Sequence, residues 1–243
     1  MTAASQRSSK PIPNNERLIV ALDVPTVADA RALVEQLGDR VVFYKIGLEL
    51  LMSGEFFELA GWLKGRGKKV FADIKFFDVP KTVARAIENL GRHRVDFVTV
   101  HGNDEIMRAA VAVKGDLKIL AVTALTSLDR GDLDDLGFDC DPEKLVLSRA
   151  RRALKLGCDG VISSGLEAPR LRAELGEKLM VITPGIRPVD NTESDDQKRT
   201  VDVEQAFEGG ADYIVMGRPI RDAADPAAAA ADVQARIARL FPA

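Results

Sequence analysis

Eight short apolar runs, rich in β-branched residues, recur along the chain at 18–24, 41–48, 69–76, 97–101, 118–125, 160–164, 180–186 and 213–220. Most are continuously apolar rather than alternating, the pattern of parallel strands covered on both faces. The intervening stretches carry helical spacing. Val27, Ala30, Leu33, Val34 and Leu37 form one apolar stripe, preceded by Thr26 as an N-cap with Asp29 three residues on. Further helices are expected near 55–63, 81–90, 105–113, 143–156, 169–175, 203–207 and 226–240. Strand and helix thus alternate eight times, which requires right-handed crossovers and a parallel sheet. At 243 residues, closure into a (β/α)8 barrel, the TIM barrel, is favoured over an open doubly wound sheet. One α/β domain is expected over 16–243. Residues 1–15, rich in Ser, Pro, Asn and Lys, read as a flexible arm.

Charge and cysteine content narrow the function classes. With 34 basic against 37 acidic residues the chain has no broad positive field for nucleic acid or an anionic membrane, so any anion site must be local. No run of eighteen apolar residues without a charge is present, so no membrane partner is expected. Cys140 and Cys158 lack C-x-x-C spacing, which suits a reducing cytoplasm. Two histidines, His93 and His101, and no His or Cys pair at ligand spacing make zinc an unfavourable reading, while an all-oxygen magnesium site from aspartates stays open. Walker-type, nucleophile-elbow and G-x-G-x-x-G motifs are absent.

In a barrel of this kind the active site lies at the C-terminal ends of the strands. Asp23 lies at the end of the first run, Lys45 lies in the second just before Gly47, and Asp73 and Lys75 end the third with side chains on one face. Any one of these is ordinarily a cap or a solvated ion pair. Together they form an alternating-charge cluster in a concave site, a functional pattern because such charges are costly unless paired. Asp78 precedes Pro80 and reads either as a helix N-cap or as part of this cluster. Thr126 and Ser127 follow the fifth run, with hydroxyls suited to a flat amide-bearing ring or to loop capping. The stretch 128–141 is an acidic excursion with a short helix. Gly185, Gly217 and Arg218 stand at the ends of the seventh and eighth runs, where barrels recurrently bind phosphate, and the polar stretch 189–200 between those runs reads as a lid.

These residues carry a family resemblance. Leu22-Asp23-Val24-Pro25, Lys45 before Gly47, the run from Asp73 to Thr82, Leu125-Thr126-Ser127, Pro184-Gly185-Ile186-Arg187-Pro188, Asp196-Gln197-Lys198-Arg199 and Val215-Met216-Gly217-Arg218-Pro219-Ile220 occur in the order seen in the orotidine 5′-phosphate decarboxylase family. The chain resembles that family from Leu18 nearly to its C-terminus. Phe77 and Lys81 depart from the His and Asn common in bacterial members; neither belongs to the charged array.

The resemblance implies a cofactor-free, metal-free, cytoplasmic lyase that converts orotidine 5′-monophosphate to uridine 5′-monophosphate, the last step of de novo pyrimidine synthesis. It implies a homodimer in which Lys45, Asp73 and Lys75 of one subunit meet Asp78 and Thr82 of the other. Asp23 and Lys45 would hold the ribose, with Asp78 and Thr82 of the partner near its 2′-hydroxyl. Thr126 and Ser127 would address the pyrimidine, and Arg187, Gln197, Gly217 and Arg218 the phosphate or lid. Pro184 and Asp73 complete the substrate-binding set, and Lys75 would donate the proton to C6. Two other readings stay open: a magnesium-dependent sugar-phosphate barrel enzyme sharing the D-x-K-x-x-D run, such as a 3-keto-gulonate 6-phosphate decarboxylase or hexulose-phosphate synthase, and a non-catalytic barrel.

Overall fold

The computed structural model describes residues 6–125, 128–137, 139–187 and 200–242. Its centre is a closed barrel of eight parallel strands in sequence order: β1 (Leu18–Ala21), β2 (Phe43–Ile46), β3 (Lys69–Phe76), β4 (Phe97–His101), β5 (Lys118–Val122), β6 (Gly160–Ile162), β7 (Met180–Thr183) and β8 (Tyr213–Met216). Pairing of β1 with β8 shuts the ring. This is the expected (β/α)8 architecture. Between the strands lie α1 (Val27–Leu37), α2 (Leu48–Met52), α3 (Phe56–Gly65), α4 (Pro80–Arg92), α5 (Asp104–Ala112), α6 (Arg130–Asp135), α7 (Pro142–Leu156), α8 (Ala168–Leu175) and α9 (Val203–Glu208). The short α10 (Arg218–Arg221) and the long α11 (Pro226–Leu240) follow β8.

Local chemistry accounts for these boundaries. Thr26 caps α1, its hydroxyl accepting from the Asp29 amide at 3.1 Å and donating to the Asp29 carboxylate at 2.6 Å, a cap worth roughly 1 kcal/mol. Pro80, Pro142 and Pro226 occupy the first turns of α4, α7 and α11, where a missing N–H costs nothing. Several strands end earlier than their apolar runs: β1 stops at Ala21, although Leu22 and Val24 remain buried. Apolar character reports burial, and burial continues past the last ladder bond. Helices α2 and α10 follow strands directly: α2 begins on the last residue of the 41–48 run, and α10 takes up the end of the 213–220 run.

Two concentric cores result. Between barrel and helices runs a continuous layer of apolar side chains, while inside the barrel Phe43, Phe71, Phe97 and Tyr213 pack edge to face, with centroids 4.9 Å apart for Phe43 and Phe97 and 5.3 Å for Phe97 and Tyr213. The N-terminal segment differs from a free arm over residues 6–15. Ile12 packs against the barrel interior, the Gln6 amide bonds the Glu208 carbonyl at 2.9 Å, and Lys10 reaches Asp212 and the Leu179 carbonyl. Asp212 is fully buried, pairs with Arg172 as well, and accepts from the Val181 amide at 2.8 Å. The bottom of the barrel is thus held by an ionic knot, leaving the opposite end for the site. Among the described residues no helix is long and apolar enough to cross a membrane.

Candidate active site

At the C-terminal ends of the strands lies a cavity of about 390 Å³. Ala21, Phe71, Val122, Ile162 and Val215 make an apolar floor, and Asp23, Lys45, Asp73, Lys75, Arg187, Arg218 and Arg221 make a charged rim. Lys45 Nζ lies 2.9 Å from Asp23 Oδ1 and 3.6 Å from Asp73 Oδ2, and Lys75 Nζ lies 2.9 Å from Asp73 Oδ1. The four groups therefore alternate in sign along Asp23, Lys45, Asp73 and Lys75. Gly47 makes room for the first pair, since a Cβ there would come within 3.3 Å of both Asp23 Oδ1 and Lys45 Nζ.

Burial and pairing oppose each other at the inner two groups, and pairing wins. Burial alone would pull the Lys45 ammonium down, but the carboxylates of Asp73 and Asp23 hold its pKa above the ordinary lysine value. Burial alone would likewise push Asp73 up; Lys45, Lys75 and hydrogen bonding from Lys75 and Thr99 hold it below the ordinary carboxylate value. The pair is charged in both members at neutral pH. An ammonium between two carboxylates also takes the place that a divalent cation would need in order to use both of them.

Lys75 reaches this position through an irregular backbone. Strand β3 advances from Ala72 to Phe76 while β4 advances only from Val98 to Val100, so Asp73, Ile74 and Lys75 bulge out of register. Ile74 turns toward the helix layer, and Lys75 adopts φ = 53°. A lysine in the left-handed region costs about 1–3 kcal/mol and persists only where its surroundings enforce it. Thr99 was not visible as a site residue in the sequence, though its place on the inward parity of β4, between Phe97 and His101, marks a polar group in an apolar interior. Its hydroxyl donates to Asp73 Oδ1 and accepts from the Lys75 amide, each at 2.9 Å.

Across the mouth, Pro184, Gly185, Arg187, Gly217 and Arg218 line the cavity, as expected for the anion side. Gly185 has φ = 78°, a conformation that favours glycine. Arg221, a rim cation the sequence reading did not single out, donates to the Asp23 carbonyl and so ties the segment after β1 to α10. Asp78 and Thr82 do not line the cavity of their own chain; both are exposed on the rim after β3. The N-cap position of α4 is Val79, so Asp78 is not the cap; its carboxylate accepts from the Val79 amide at 2.6 Å. His101 is satisfied locally, 2.9 Å from the Asn103 side chain and with its ring against Phe77. Thr126, Ser127, Gln197 and most of the expected lid fall outside the described residues.

A closed parallel barrel whose mouth sets alternating charge over an apolar floor, with guanidinium groups opposite, defines a barrel enzyme for a small anionic substrate. Comparison with known proteins gives the particular family. The chain belongs to the orotidine 5′-phosphate decarboxylase / HUMPS family, whose model matches residues 16–233. It is 66% identical to an orotidine 5′-phosphate decarboxylase of Methylococcus capsulatus over 96% of this chain and 97% of that protein. It is 50% identical to the one of Stenotrophomonas maltophilia, again over 96% and 97%. Among solved structures, the orotidine 5′-phosphate decarboxylase of Lactobacillus acidophilus matches with a TM-score of 0.80 at 32% identity, over 94% of this chain and 100% of that one. An uncharacterized conserved protein of Geobacillus kaustophilus matches with a TM-score of 0.79 at 30% identity, over 90% and 99%.

Proposed function

We propose that this protein removes carbon dioxide from C6 of orotidine 5′-monophosphate to give uridine 5′-monophosphate, within pyrimidine biosynthesis and without a cofactor. The observation that carries the reading is the Asp23–Lys45–Asp73–Lys75 array over an apolar floor. When the bond from C6 to the carboxylate breaks, the electron pair stays on C6 in the plane of the ring, where the π system cannot spread it. The protein must therefore meet that charge with groups already in position. Lys75 is the group for this: its ammonium faces the developing carbanion and delivers a proton to C6, and the neutral amine regains its proton from solvent. A unit charge pair about 4 Å apart contributes roughly 4 kcal/mol at an effective dielectric near 20, enough for fixed neighbours to matter.

In this reading Asp73 orients Lys75 and lies beside the departing carboxylate. Asp23 and Lys45 hold the ribose, Thr126 and Ser127 the pyrimidine. Pro184, Arg187, Gln197, Gly217 and Arg218 surround the phosphate. Binding energy from that remote phosphate serves to assemble the site around the reacting carbon.

The active form is a homodimer in which Asp78 and Thr82 complete the neighbouring subunit's site. Support comes from the rim after β2 and β3, which are neighbours in the barrel: Met52 is 81% exposed, Phe77 67% and Val79 64%, and Leu48 is also exposed. Apolar side chains gathered on one rim mark a surface for covering. A cytoplasmic location accords with Cys140 and Cys158 as free thiols; the reading includes no nucleic-acid or membrane partner.

The test is the ultraviolet absorbance of orotidine 5′-monophosphate incubated with the protein in excess EDTA, with the product checked by mass. Formation of uridine 5′-monophosphate with metals chelated is the expected result. No conversion, followed by turnover of a keto-sugar phosphate once Mg2+ is restored, overturns the proposal in favour of a metal-dependent sugar-phosphate reaction.

A further inference from the structure

We infer that Thr99 is the positioning residue that holds the bulged end of β3 in its working shape; the inference rests on the decarboxylase reading of the same site. Between the paired positions Ala72↔Val98 and Phe76↔Val100, β3 places Asp73, Ile74 and Lys75 opposite a single residue of β4, Thr99. A bulge leaves backbone groups without their regular ladder partners, and one of these is the Lys75 amide. It is satisfied by the Thr99 hydroxyl oxygen at 2.9 Å, while the hydroxyl proton goes to Asp73 Oδ1 at the same distance. One oxygen thus ties down both the residue that presents the ammonium and the carboxylate that orients it.

The surroundings make this bond hard to replace. Thr99 is fully buried on the inward face of β4, beside an apolar interior with Phe97 below it. If the hydroxyl is removed, the Lys75 amide and Asp73 each lose a partner in a place of limited access to water. Among the described residues, the Thr99 hydroxyl and the ion pair with Asp73, which Thr99 also steadies, are the contacts that oppose relaxation of the left-handed backbone at Lys75. Valine at this position keeps the shape and removes only the polarity; serine keeps the polarity and removes a methyl group.

The experiment compares Thr99→Val, Thr99→Ser and the unchanged protein for kcat, KM and affinity for uridine 5′-monophosphate. Thr99→Val should lower kcat roughly 10- to 100-fold, as misplacement by about an ångström does, with product affinity changed by less than about threefold because the phosphate contacts lie across the mouth. Thr99→Ser should restore most of kcat. Equal kcat in Thr99→Val and the unchanged protein overturns the inference, and so does equal impairment of the valine and serine variants, which would assign the effect to packing. Hydrogen exchange on the unchanged protein gives a second measurement that does not depend on a variant folding. The Lys75 amide should be protected like the strand amides of Phe71 and Ala72, and exchange at the free-peptide rate overturns the bond. If the unchanged protein forms no uridine 5′-monophosphate, the proposed activity fails while amide exchange still decides the bond. An active protein with an unaffected valine variant sinks the positioning role alone.

Discussion

At the scale of single residues, the ammonium of Lys75 is the group with the least substitutable task. Lys75→Ala should reduce turnover to near the detection limit while uridine 5′-monophosphate still binds, because Arg187, Gly217 and Arg218, proposed above to hold the phosphate, line the same cavity and are left intact. Calorimetric titration beside the absorbance assay separates the two effects, and a variant retaining most of its kcat would refute the proton-donor assignment. The charged state of the array has a defined pH window. Asp73 is held below its ordinary value, so its contribution to stability is present above the unfolded value of about 3.9 and is lost as pH falls through the lower folded value. Lys45 is raised, so its contribution is complete below the unfolded value of about 10.4 and is lost as pH rises through the higher folded value. Carbon-13 titration of the Asp73 carboxyl should therefore show a midpoint below that of an unstructured aspartate; a midpoint above it contradicts the pairing described. Most of these side chains were legible in the sequence because charge in an apolar run is conspicuous. Thr99 was not, since a threonine suits a strand anyway and its two bonds depend on a register that only the folded β3–β4 pair reveals.

At the scale of elements, the knot beneath the barrel should govern stability rather than turnover. Asp212 joins Lys10, Arg172 and the Val181 amide, so Asp212→Ala strands two cations and an N–H in a buried place, at a cost of about 3–5 kcal/mol. Thermal unfolding should show a clear fall in Tm, while kcat measured well below the transition stays near the original value; an unchanged Tm would show that the knot is not structural. The alternation of strands and helices was legible throughout because the apolar period changes visibly between them. Their ends were less so. Leu22 and Val24 look like strand because they are buried, and α2 and α10 are too short to declare a helical stripe. Residues 6–15 looked free because they are polar, yet Ser8 is buried and Ser9 bonds Glu177 through both its amide and its hydroxyl. A segment held by a few specific bonds leaves no periodic mark.

At the scale of the whole molecule, the proposed dimer has a direct test. If Asp78 completes the partner's site, Lys75→Ala and Asp78→Ala dimers are each inactive, but subunit exchange creates dimers with one intact site. Mixing equal amounts should restore about a quarter of the sites, the share given by random pairing in a two-fold assembly. Activity that stays at the level of the separate variants after demonstrated exchange would place Asp78 in its own subunit's site or outside catalysis.

The left-handed backbone at Lys75 also bears on how this chain could be redesigned. A sequence chosen for foldability alone would put glycine there, since the conformation is strained for lysine and the partly exposed ion pair with Asp73 returns little. The chain keeps the less comfortable residue at the spot where its chemistry is done, so consensus or stability-driven engineering that treats position 75 as an ordinary turn would improve the scaffold and erase the enzyme.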